Sequence, residues 1–216
     1  MNNDSLRITE IFHSLQGETS TTGFPTVFVR LTGCPLRCVY CDTAYAFEGG
    51  HKMSFDDIFA SVSQHQAKFV TVTGGEPLAQ PQCIPLLKQL CDQGYRVSLE
   101  TSGALSTEEV DSRVVKIVDF KTPASGEMSR NHYENVNYLN SQDEVKFVIC
   151  DRQDYDWSCM KIDELGLQGR VAEILFSPSQ GVLPPAELAK WMLHDKLNLR
   201  MQIQTHKYIF GDQPGH

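Results

Sequence analysis

Short runs rich in β-branched and aromatic residues recur along the chain, and several are separated by stretches long enough to form a helix. Helices are predicted over Ile58–Gln66, with Ser54 and Asp57 as the start signal, over Pro81–Gln93, and from Pro184 to about Lys196. Strand–helix–strand alternation at this spacing favours right-handed crossovers and a parallel sheet. The predicted strands are Leu6–Phe12, Thr26–Leu31, Phe69–Thr73, Arg96–Glu100, Lys116–Lys121, Glu144–Ile149, Val171–Phe176 and Leu199–His206.

Apolar and polar side chains alternate within these runs, which places them on opposite faces of each strand. In the second run Val27 and Val29 oppose Arg30, and in the fifth Val118 opposes Asp119. A parallel sheet that helices cover on both sides should be apolar on both faces. The sequence therefore favours a full or partial parallel (β/α) barrel around a polar lumen over a sheet with one face left to solvent. In the last run, the residues expected to share a face are Gln202, Gln204 and His206.

Three of the seven cysteines, Cys34, Cys38 and Cys41, lie within one short segment. Thiolates at this spacing can bind one face of a [4Fe–4S] cluster, and the remaining iron would stay open to a ligand that is not a side chain. A zinc site with His51 as the fourth ligand is the alternative. The other cysteines are expected to be buried, unreactive thiols: Cys83, Cys91, Cys150 and Cys159.

Composition excludes several classes of function. The chain has 216 residues, 19 Lys plus Arg and 27 Asp plus Glu, and hence a formal net charge of −8. A surface this acidic repels a phosphate backbone, so direct nucleic-acid binding is not expected. No apolar run approaches the roughly 18–20 residues that cross a bilayer, and the polar first residues are unlike a signal peptide. We expect a cytoplasmic protein with one domain over 1–216, whose tail, 209–216, is flexible or covers a substrate.

The cysteine segment, Cys34-Pro-Leu-Arg-Cys38-Val-Tyr-Cys41, resembles the motif of the radical S-adenosylmethionine (SAM) superfamily, in which the open iron binds SAM. Thr73-Gly74-Gly75-Glu76-Pro77 follows a predicted strand and resembles the superfamily's second motif, which holds the amino group of SAM. Glycines let the backbone approach a ligand closely, and a carboxylate pairs with an ammonium. Together the two motifs make zinc a much weaker alternative. They imply an α/β fold, a reduced form of the superfamily's partial parallel barrel.

Further segments narrow the resemblance to the 7-carboxy-7-deazaguanine synthase family. They are Leu15-Gln16-Gly17-Glu18, Cys41-Asp42-Thr43, Glu100-Thr101-Ser102-Gly103 and Gln204-Thr205-His206-Lys207-Tyr208. The family converts 6-carboxy-5,6,7,8-tetrahydropterin into 7-carboxy-7-deazaguanine with loss of ammonia, a carbon–nitrogen lyase step towards queuosine and related deazapurines. The resemblance implies SAM as a catalytic cofactor, a [4Fe–4S] cluster, Mg²⁺, a homodimer, and a flavodoxin or ferredoxin as reductant.

The resemblance also implies a role for each matching residue. Cys34, Cys38 and Cys41 would hold the cluster, and Thr43 would bind Mg²⁺ unless its hydroxyl caps a helix instead. The catalytic residues would be Glu18, Arg30 and His206. The SAM contacts would be Tyr40, Asp42, Gly74, Gly75, Glu76, Ser102, Asp119 and Lys121. The pterin contacts would be Leu15, Gln16, Gly17, Arg30, Thr73 and His206.

The chain departs from the family pattern at two places. Asp119–Pro123 stands where the family often has Ser-Pro-Lys, which weakens the match of Lys121. The chain also continues to His216, so the family's contact between its terminal carboxylate and the pterin is not expected in the same form. Two other functions stay open at this point. A glycyl-radical-enzyme activase would share the SAM motifs but not the segments at 15–18 and 204–208, and a non-enzymatic zinc or iron–sulfur module would need no substrate site.

Overall fold

The strands of the chain join in one mixed sheet in the computed structural model, which describes residues 4–211 and 215. The strands are β1 Ser5–Leu15, β2 Pro25–Leu31, β3 His51–Ser54, β4 Phe69–Gly74, β5 Arg96–Thr101, β6 Val115–Asp119, β7 Glu144–Ile149, β8 Glu173–Pro178 and β9 Arg200–Met201. The α-helices are α1 Phe55–Ser63, α2 Cys83–Asp92, α3 Arg152–Glu164, α4 Pro185–His194 and α5 Thr205–Phe210. The order across the sheet is β3-β1-β2-β4-β5-β6-β7-β8-β9.

The predicted parallel sheet is present from β2 to β9, but β1 departs from it. β1 pairs antiparallel with both β2 and β3, whereas β2 pairs parallel with β4 and each later strand continues that direction. β1 and β2 are joined by the loop 16–24, which is too short to let the two strands pair in parallel. A parallel pair needs a crossover of about a dozen residues or more. The loop therefore lies at the amino end of the parallel strands.

The last predicted strand, Leu199–His206, is wrong over most of its length. Only Arg200–Met201 pairs with β8, and Thr205 already begins α5. The chain leaves the sheet because the Gln202 side chain and the Thr205 N–H both donate to the Gly17 carbonyl, at 3.2 and 3.1 Å. Gln202, Gln204 and His206 therefore do not share one strand face as predicted.

Besides α5, the strand β3 and the helix α3 were not predicted. β3 has only four residues, and it is defined by its pairing with β1 rather than by an apolar pattern of its own. α3 is largely polar in sequence, with Tyr155 and Ile162 among its few buried residues. Its start signal is Asp151, whose side chain accepts from the Asp154 N–H. The predicted start signal of α1 is confirmed, since Ser54 and Asp57 form a complete capping box, but the helix already begins at Phe55.

The helices cover the outer face of the sheet in two apolar clusters. One cluster packs α1 and α2 on β1, β2, β4 and β5, with Val29 and Val72 fully buried. The other packs α3 and α4 on β6 to β8 around Phe147 and Phe176. The alternation predicted from the sequence is therefore present, and the polar residues of these strands face the inside of the curved sheet. No helix in residues 4–211 is long and apolar enough to span a membrane.

A buried ion pair at the amino ends of β6 and β7 gives a test of stability. The Lys116 ammonium lies 2.8 Å from Asp143, and the two side chains are 3% and 0% exposed. Asp143 also accepts from the backbone N–H groups of Lys116 and Asn140, each at 2.8 Å. Asp143→Ala should lower the free energy of unfolding by about 3–5 kcal/mol, because it leaves a buried ammonium without its counter-ion.

Urea unfolding followed by circular dichroism measures this loss, and Asp92→Ala is the matched control. Asp92 pairs with Lys88 and Arg113 at the surface, where solvent screens the charges, so its loss should change stability little. Equal losses in the two variants would show that burial does not set the strength of the inner pair.

Candidate functional site

A cavity of about 470 Å³ opens on the inner face of the sheet, towards the carboxyl ends of the parallel strands. Arg30, Thr73, Glu100 and Asp119 line it from four strands, and the loop 16–24 lines it from the opposite end. Every site residue predicted from the sequence lines this cavity, with the single exception of Glu76. Ligand sites in α/β folds lie at this end of the sheet, where consecutive strands bring their last residues together.

The segment 34–41, here called the cysteine loop, follows β2 and brings its three thiols to the cavity. Cys34, Cys38 and Cys41 are each half-buried and line the same space. The 122–131 segment supports the loop, since the Val39 N–H donates to the Ser125 carbonyl at 3.0 Å. Burial raises the pKa of Cys34, and raises that of Cys38 to about 11, and neighbouring thiolates add to both shifts. A cationic group is needed to hold three thiolates so close together, and an iron–sulfur cluster supplies one.

The zinc alternative gains no ligand from the structure. His51 lies on β3, is exposed, and is not among the residues that line the cavity. Within residues 4–211 and 215, no group of three or more His, Cys, Asp or Glu side chains is arranged to hold a single metal ion. The three thiols line one cavity together, which suits a cluster with three cysteine ligands.

The two glycines after β4 let the backbone lie directly on the start of the cysteine loop. A Cβ atom built on Gly75 would lie 2.3 Å from the Gly33 carbonyl oxygen and 2.7 Å from Cys34 Cβ. One built on Gly74 would lie 2.4 Å from the Leu31 carbonyl oxygen. The Glu76 N–H donates to the Gly33 carbonyl at 2.8 Å, which ties the two segments together. Glycine is therefore required at both positions.

Glu76 lies behind the wall of the cavity rather than in it. Its side chain is completely buried, and its carboxylate accepts from the Ser102 N–H at 2.7 Å and from the Ser102 and Thr101 hydroxyls. The Leu78 N–H donates to it as well, at 3.0 Å. Glu76 thus orients Ser102, which does line the cavity. Its predicted contact with the amino group of SAM stays a prediction.

Two buried polar atoms beside the cysteine loop suit a polar cofactor. Among the described residues, neither the Tyr40 hydroxyl nor Asp119 Oδ1 has a hydrogen-bond partner, although both residues line the cavity. The other oxygen of Asp119 lies 3.1 Å from the Lys121 ammonium. Buried polar atoms are rarely left without partners, so these two point to a ligand with its own donors and acceptors. SAM, with its amino group, carboxylate and ribose hydroxyls, meets that requirement.

At the opposite end of the cavity, Gln16 organises the loop 16–24. Its Oε1 accepts from the Gly17 and Glu18 N–H groups at 2.8 and 3.0 Å, and its Nε2 donates to Glu100 at 3.2 Å. The Thr73 hydroxyl also donates to Glu100, at 3.1 Å. Gly17 lies against His206 so closely that a Cβ would come within 2.3 Å of His206 Nδ1. Four of the six predicted pterin contacts, Gln16, Gly17, Thr73 and His206, are therefore connected to one another, directly or through Glu100.

The carboxyl groups of Glu18 and Glu100 carry opposite pKa shifts. Burial works to raise the pKa of Glu18, but the Lys146 ammonium, 2.5 Å away, outweighs it and lowers the pKa overall. Burial raises the pKa of Glu100, and the nearby charge of Glu18 raises it further. Glu18 is thus held as the carboxylate, while Glu100 is protonated more readily than a free glutamic acid side chain. Burial also lowers the pKa of His206, which favours its neutral imidazole.

Arg30 is a fixed cation between the two ends of the cavity. Its Nε donates to Glu10 at 2.7 Å, and the Tyr45 hydroxyl donates to the same oxygen at 2.8 Å. The guanidinium carbon lies 5.7 Å from the centre of the Phe12 ring and 5.8 Å from that of Tyr45. These contacts hold the guanidinium in place through one edge, and its other edge is suited to a carboxylate.

The C-terminal segment 202–207 connects the loop 16–24 to the end of the cysteine loop. Gln204 Nε2 donates to Glu18 at 3.0 Å and to Asp42 at 2.9 Å, and the Lys207 ammonium lies 2.8 Å from Asp42. Although burial works against it, the contacts of Asp42 with Lys207 and Gln204 lower the pKa of Asp42. Thr43 precedes the short helix Ala44–Ala46 but does not cap it, and its hydroxyl donates to Asp42 instead, at 2.9 Å.

Sequence reasoning gave no role to Glu100 and Lys146, two of the charged residues that line the cavity. The alternation within β5 and β7 already placed both on the polar face of the sheet. What the alternation does not show is how far a side chain reaches across the lumen, so neither was singled out. The contact between Lys146 and Glu18 joins residues 128 positions apart in the chain, and no local pattern predicts it.

Comparisons with known proteins agree with this site. The profile of the radical SAM superfamily matches residues 28–119, which contain the cysteine loop and the two glycines. The chain is 45% identical to the 7-carboxy-7-deazaguanine synthase of Koribacter versatilis, over 95% of this chain and 97% of that protein. It is 47% identical to the protein of the same name from Chlorobaculum tepidum, over 95% of this chain and 94% of the relative.

Solved structures confirm the predicted partial α/β barrel. QueE from Escherichia coli is 23% identical and superimposes with a TM-score of 0.73, over 93% of this chain and 94% of that one. SuiB from Streptococcus suis, bound to its precursor peptide SuiA, gives a TM-score of 0.61 at 13% identity, over 80% of this chain and 46% of that chain. With relatives of this similarity along nearly its whole length, the chain belongs to the 7-carboxy-7-deazaguanine synthase family of radical SAM enzymes.

Proposed function

We propose that the protein converts 6-carboxy-5,6,7,8-tetrahydropterin into 7-carboxy-7-deazaguanine with release of ammonia, a step in queuosine and 7-deazapurine biosynthesis. One observation carries the proposal: the three thiols of the cysteine loop share a cavity with a second polar group formed by Gln16, Arg30 and Thr73. The thiols suit a [4Fe–4S] cluster. The second group suits a polar heterocycle that bears a carboxylate, and the relatives' shared name supplies its identity.

When bound, the cluster and SAM supply the hydrogen-atom abstraction that no side chain of the chain can perform. Cys34, Cys38 and Cys41 would hold the cluster, and Tyr40 and Asp119 would contact SAM. The rest of the cavity positions the pterin and balances its charge. Arg30 pairs with the substrate carboxylate, and Glu18, kept ionised by Lys146, accepts from ring N–H groups. The departing nitrogen needs a proton, and Glu100, whose pKa is raised by burial and by Glu18, is the carboxyl we assign to supply it.

Thr43 is our proposed protein ligand for Mg²⁺. Its hydroxyl lines the cavity and does not cap the short helix that follows. A hydroxyl is a hard oxygen donor, and Mg²⁺ keeps several waters while it takes few ligands from the protein. The substrate carboxylate, held by Arg30, would supply a further oxygen. Asp42, which accepts from Thr43, would orient that hydroxyl.

The electron donor, the oligomeric state and the location in the cell complete the proposed function. We propose that a flavodoxin or ferredoxin donates the electron that reduces the cluster. The cysteine loop supports this, because Val39 is 81% exposed and a protein bound there would lie close to the thiols. We further propose a homodimer in the cytoplasm and one domain over 1–216. Half of the tail 209–216, residues 212–214 and 216, lies outside the described residues, so the role predicted for it stays a prediction.

The direct test is turnover of the pterin by anaerobically prepared protein that carries its cluster. Incubation with SAM, a strong reductant, Mg²⁺ and 6-carboxy-5,6,7,8-tetrahydropterin should yield a deazapurine, identified by its ultraviolet spectrum and mass, while SAM is regenerated. A cluster-loaded protein that makes no deazapurine would refute the proposal. A glycyl radical formed on a partner protein would favour an activase, and a colourless zinc protein would favour the non-enzymatic module.

Arg30 offers a test of how the substrate is held. Arg30→Ala should raise KM for the pterin about 10- to 100-fold, because the hydrogen bonds of a guanidinium to a carboxylate are lost. Cleavage of SAM without substrate should be unchanged, because Arg30 is not needed there. Arg96→Ala, which removes a surface arginine stacked on Phe69, is the control. An unchanged KM for the pterin would exclude the proposed role of Arg30.

A further inference from the structure

The loop 16–24 is anchored outside the cavity by Ser20. The Ser20 N–H lies 3.3 and 3.2 Å from the two carboxylate oxygens of Glu144, and the Ser20 hydroxyl donates to the same carboxylate. Glu144 is the first residue of β7 and is only 1% exposed. Neither Ser20 nor Glu144 is among the residues that line the cavity. The pair therefore has no direct contact with a ligand there.

β7 holds the loop at two points that are in register. Glu144 and Lys146 lie two residues apart, so their side chains leave the same face of β7. Their partners, Ser20 and Glu18, are also two residues apart in the loop. We call these two contacts the β7 clamp. One contact lies inside the cavity and the other lies outside it.

Ser20 is the group that satisfies the buried Glu144 carboxylate. The charged groups that act on Glu144 from neighbouring strands are Arg200 on β9 and Glu173 on β8. These two pair with each other, at 3.8 Å. A buried carboxylate is costly unless it accepts hydrogen bonds, and here both of its oxygens accept from Ser20. The loop and Glu144 are therefore coupled, and freeing one leaves the other unsatisfied.

We propose that Glu144 is a positioning residue that acts through Ser20 to hold Gln16 and Glu18 where they meet the substrate. The inference rests on the proposed function for the identity of that substrate. The loop's own backbone bonds, from Gln16 N–H to Phe24, from Gly23 N–H to Gln16 and from Thr22 N–H to Thr19, close the loop on itself but do not join it to β7. The segment 202–205 holds Gly17 and Glu18, and the β7 clamp holds Glu18 and Ser20. Loss of the outer contact therefore frees the loop beyond Glu18 and loosens the end of the cavity that binds the pterin.

The test measures the steady-state constants of cluster-loaded Glu144→Gln and Ser20→Ala. Each should raise KM for the pterin about tenfold, the effect of losing one hydrogen bond to a charged group. We expect kcat, KM for SAM and iron content to stay close to those of the parent enzyme. The double variant should be no worse than either single variant, and Ser20→Thr, which keeps the hydroxyl, should restore KM.

Glu173→Gln is the matched control, because it removes a carboxylate at the same end of the next strand that pairs with Arg200 instead of the loop. It should leave KM for the pterin unchanged. Additive effects in the double variant, or an equal rise in Glu173→Gln, would overturn the role of Glu144.

Hydrogen exchange of the peptide spanning 16–24 tests the β7 clamp without any turnover. Exchange should be faster in Glu144→Gln than in the parent, and unchanged in Glu173→Gln. Unaltered exchange in Glu144→Gln would overturn the inference even if KM rises. If the parent fails to turn over the pterin, the proposed function is refuted, and the exchange rates still decide whether Glu144 holds the loop.

Discussion

Cys38→Ser should remove the iron–sulfur cluster from the purified protein and reduce pterin turnover below detection. The cavity is lined by only three cysteines among the described residues, so the loss of one leaves too few thiolates to hold a cubane. A serine hydroxyl is a far weaker ligand for iron because it stays protonated at neutral pH. Iron content per chain, the brown absorbance and deazapurine formation measure the effect.

Cys159→Ser is the control for general damage by cysteine replacement. Cys159 lies on α3, is half-buried, and packs against the second apolar cluster, away from the cavity. Its replacement should leave iron content and turnover unchanged. If Cys38→Ser retained the iron and colour of the parent, the cysteine loop could not be the cluster site, and the proposed function would lose its basis.

Gly75→Ala should have the next largest effect, through geometry rather than chemistry. The added methyl group would lie 2.3 Å from the Gly33 carbonyl oxygen and 2.7 Å from Cys34 Cβ, so the start of the cysteine loop must move. Overpacking of this kind costs about 1–3 kcal/mol. That strain falls directly on a cluster ligand. We expect lower iron content after reconstitution and a fall in turnover of about tenfold or more, the factor that corresponds to such a cost.

Gly94→Ala separates this local clash from the ordinary cost of replacing a glycine. Gly94 has a φ of +89°, and a Cβ there would have no neighbour within 4 Å. Its replacement strains the backbone and lowers stability without touching the cysteine loop. Iron content should therefore fall in Gly75→Ala and be retained in Gly94→Ala. A similar loss in both variants would show that destabilisation alone causes it.

The alternation of side chains within strands made the inner surface of the barrel predictable. A strand puts every second residue on the same face. Arg30 and Asp119 could therefore be assigned to the lumen with no knowledge of the fold. Arg30 and Asp119 both line the cavity, as this reasoning predicts. The cysteine loop and the two glycines after β4 were also predictable, because each is part of a short motif that can be read from consecutive residues.

Contacts between distant parts of the chain were not predictable in this way. The segment after Met201 continues the strand-like alternation in sequence. In the structure the Thr205 N–H donates to the Gly17 carbonyl instead of to a strand, and α5 begins at Thr205. The direction of β1 depends on the length of the loop that follows it. The contact between the Glu76 carboxylate and Ser102, just after β5, is another that only the folded sheet brings about.

The bond from Gln204 to Glu18, across 186 positions of sequence, bears on the order in which the protein matures. During synthesis, the residues that close this side of the barrel leave the ribosome after the cysteines have emerged. Contacts between such distant residues form slowly, since a long loop must close before they yield any stabilisation. In a nascent chain the cysteine thiols are therefore accessible to solvent before the segment 202–207 closes this side of the cavity.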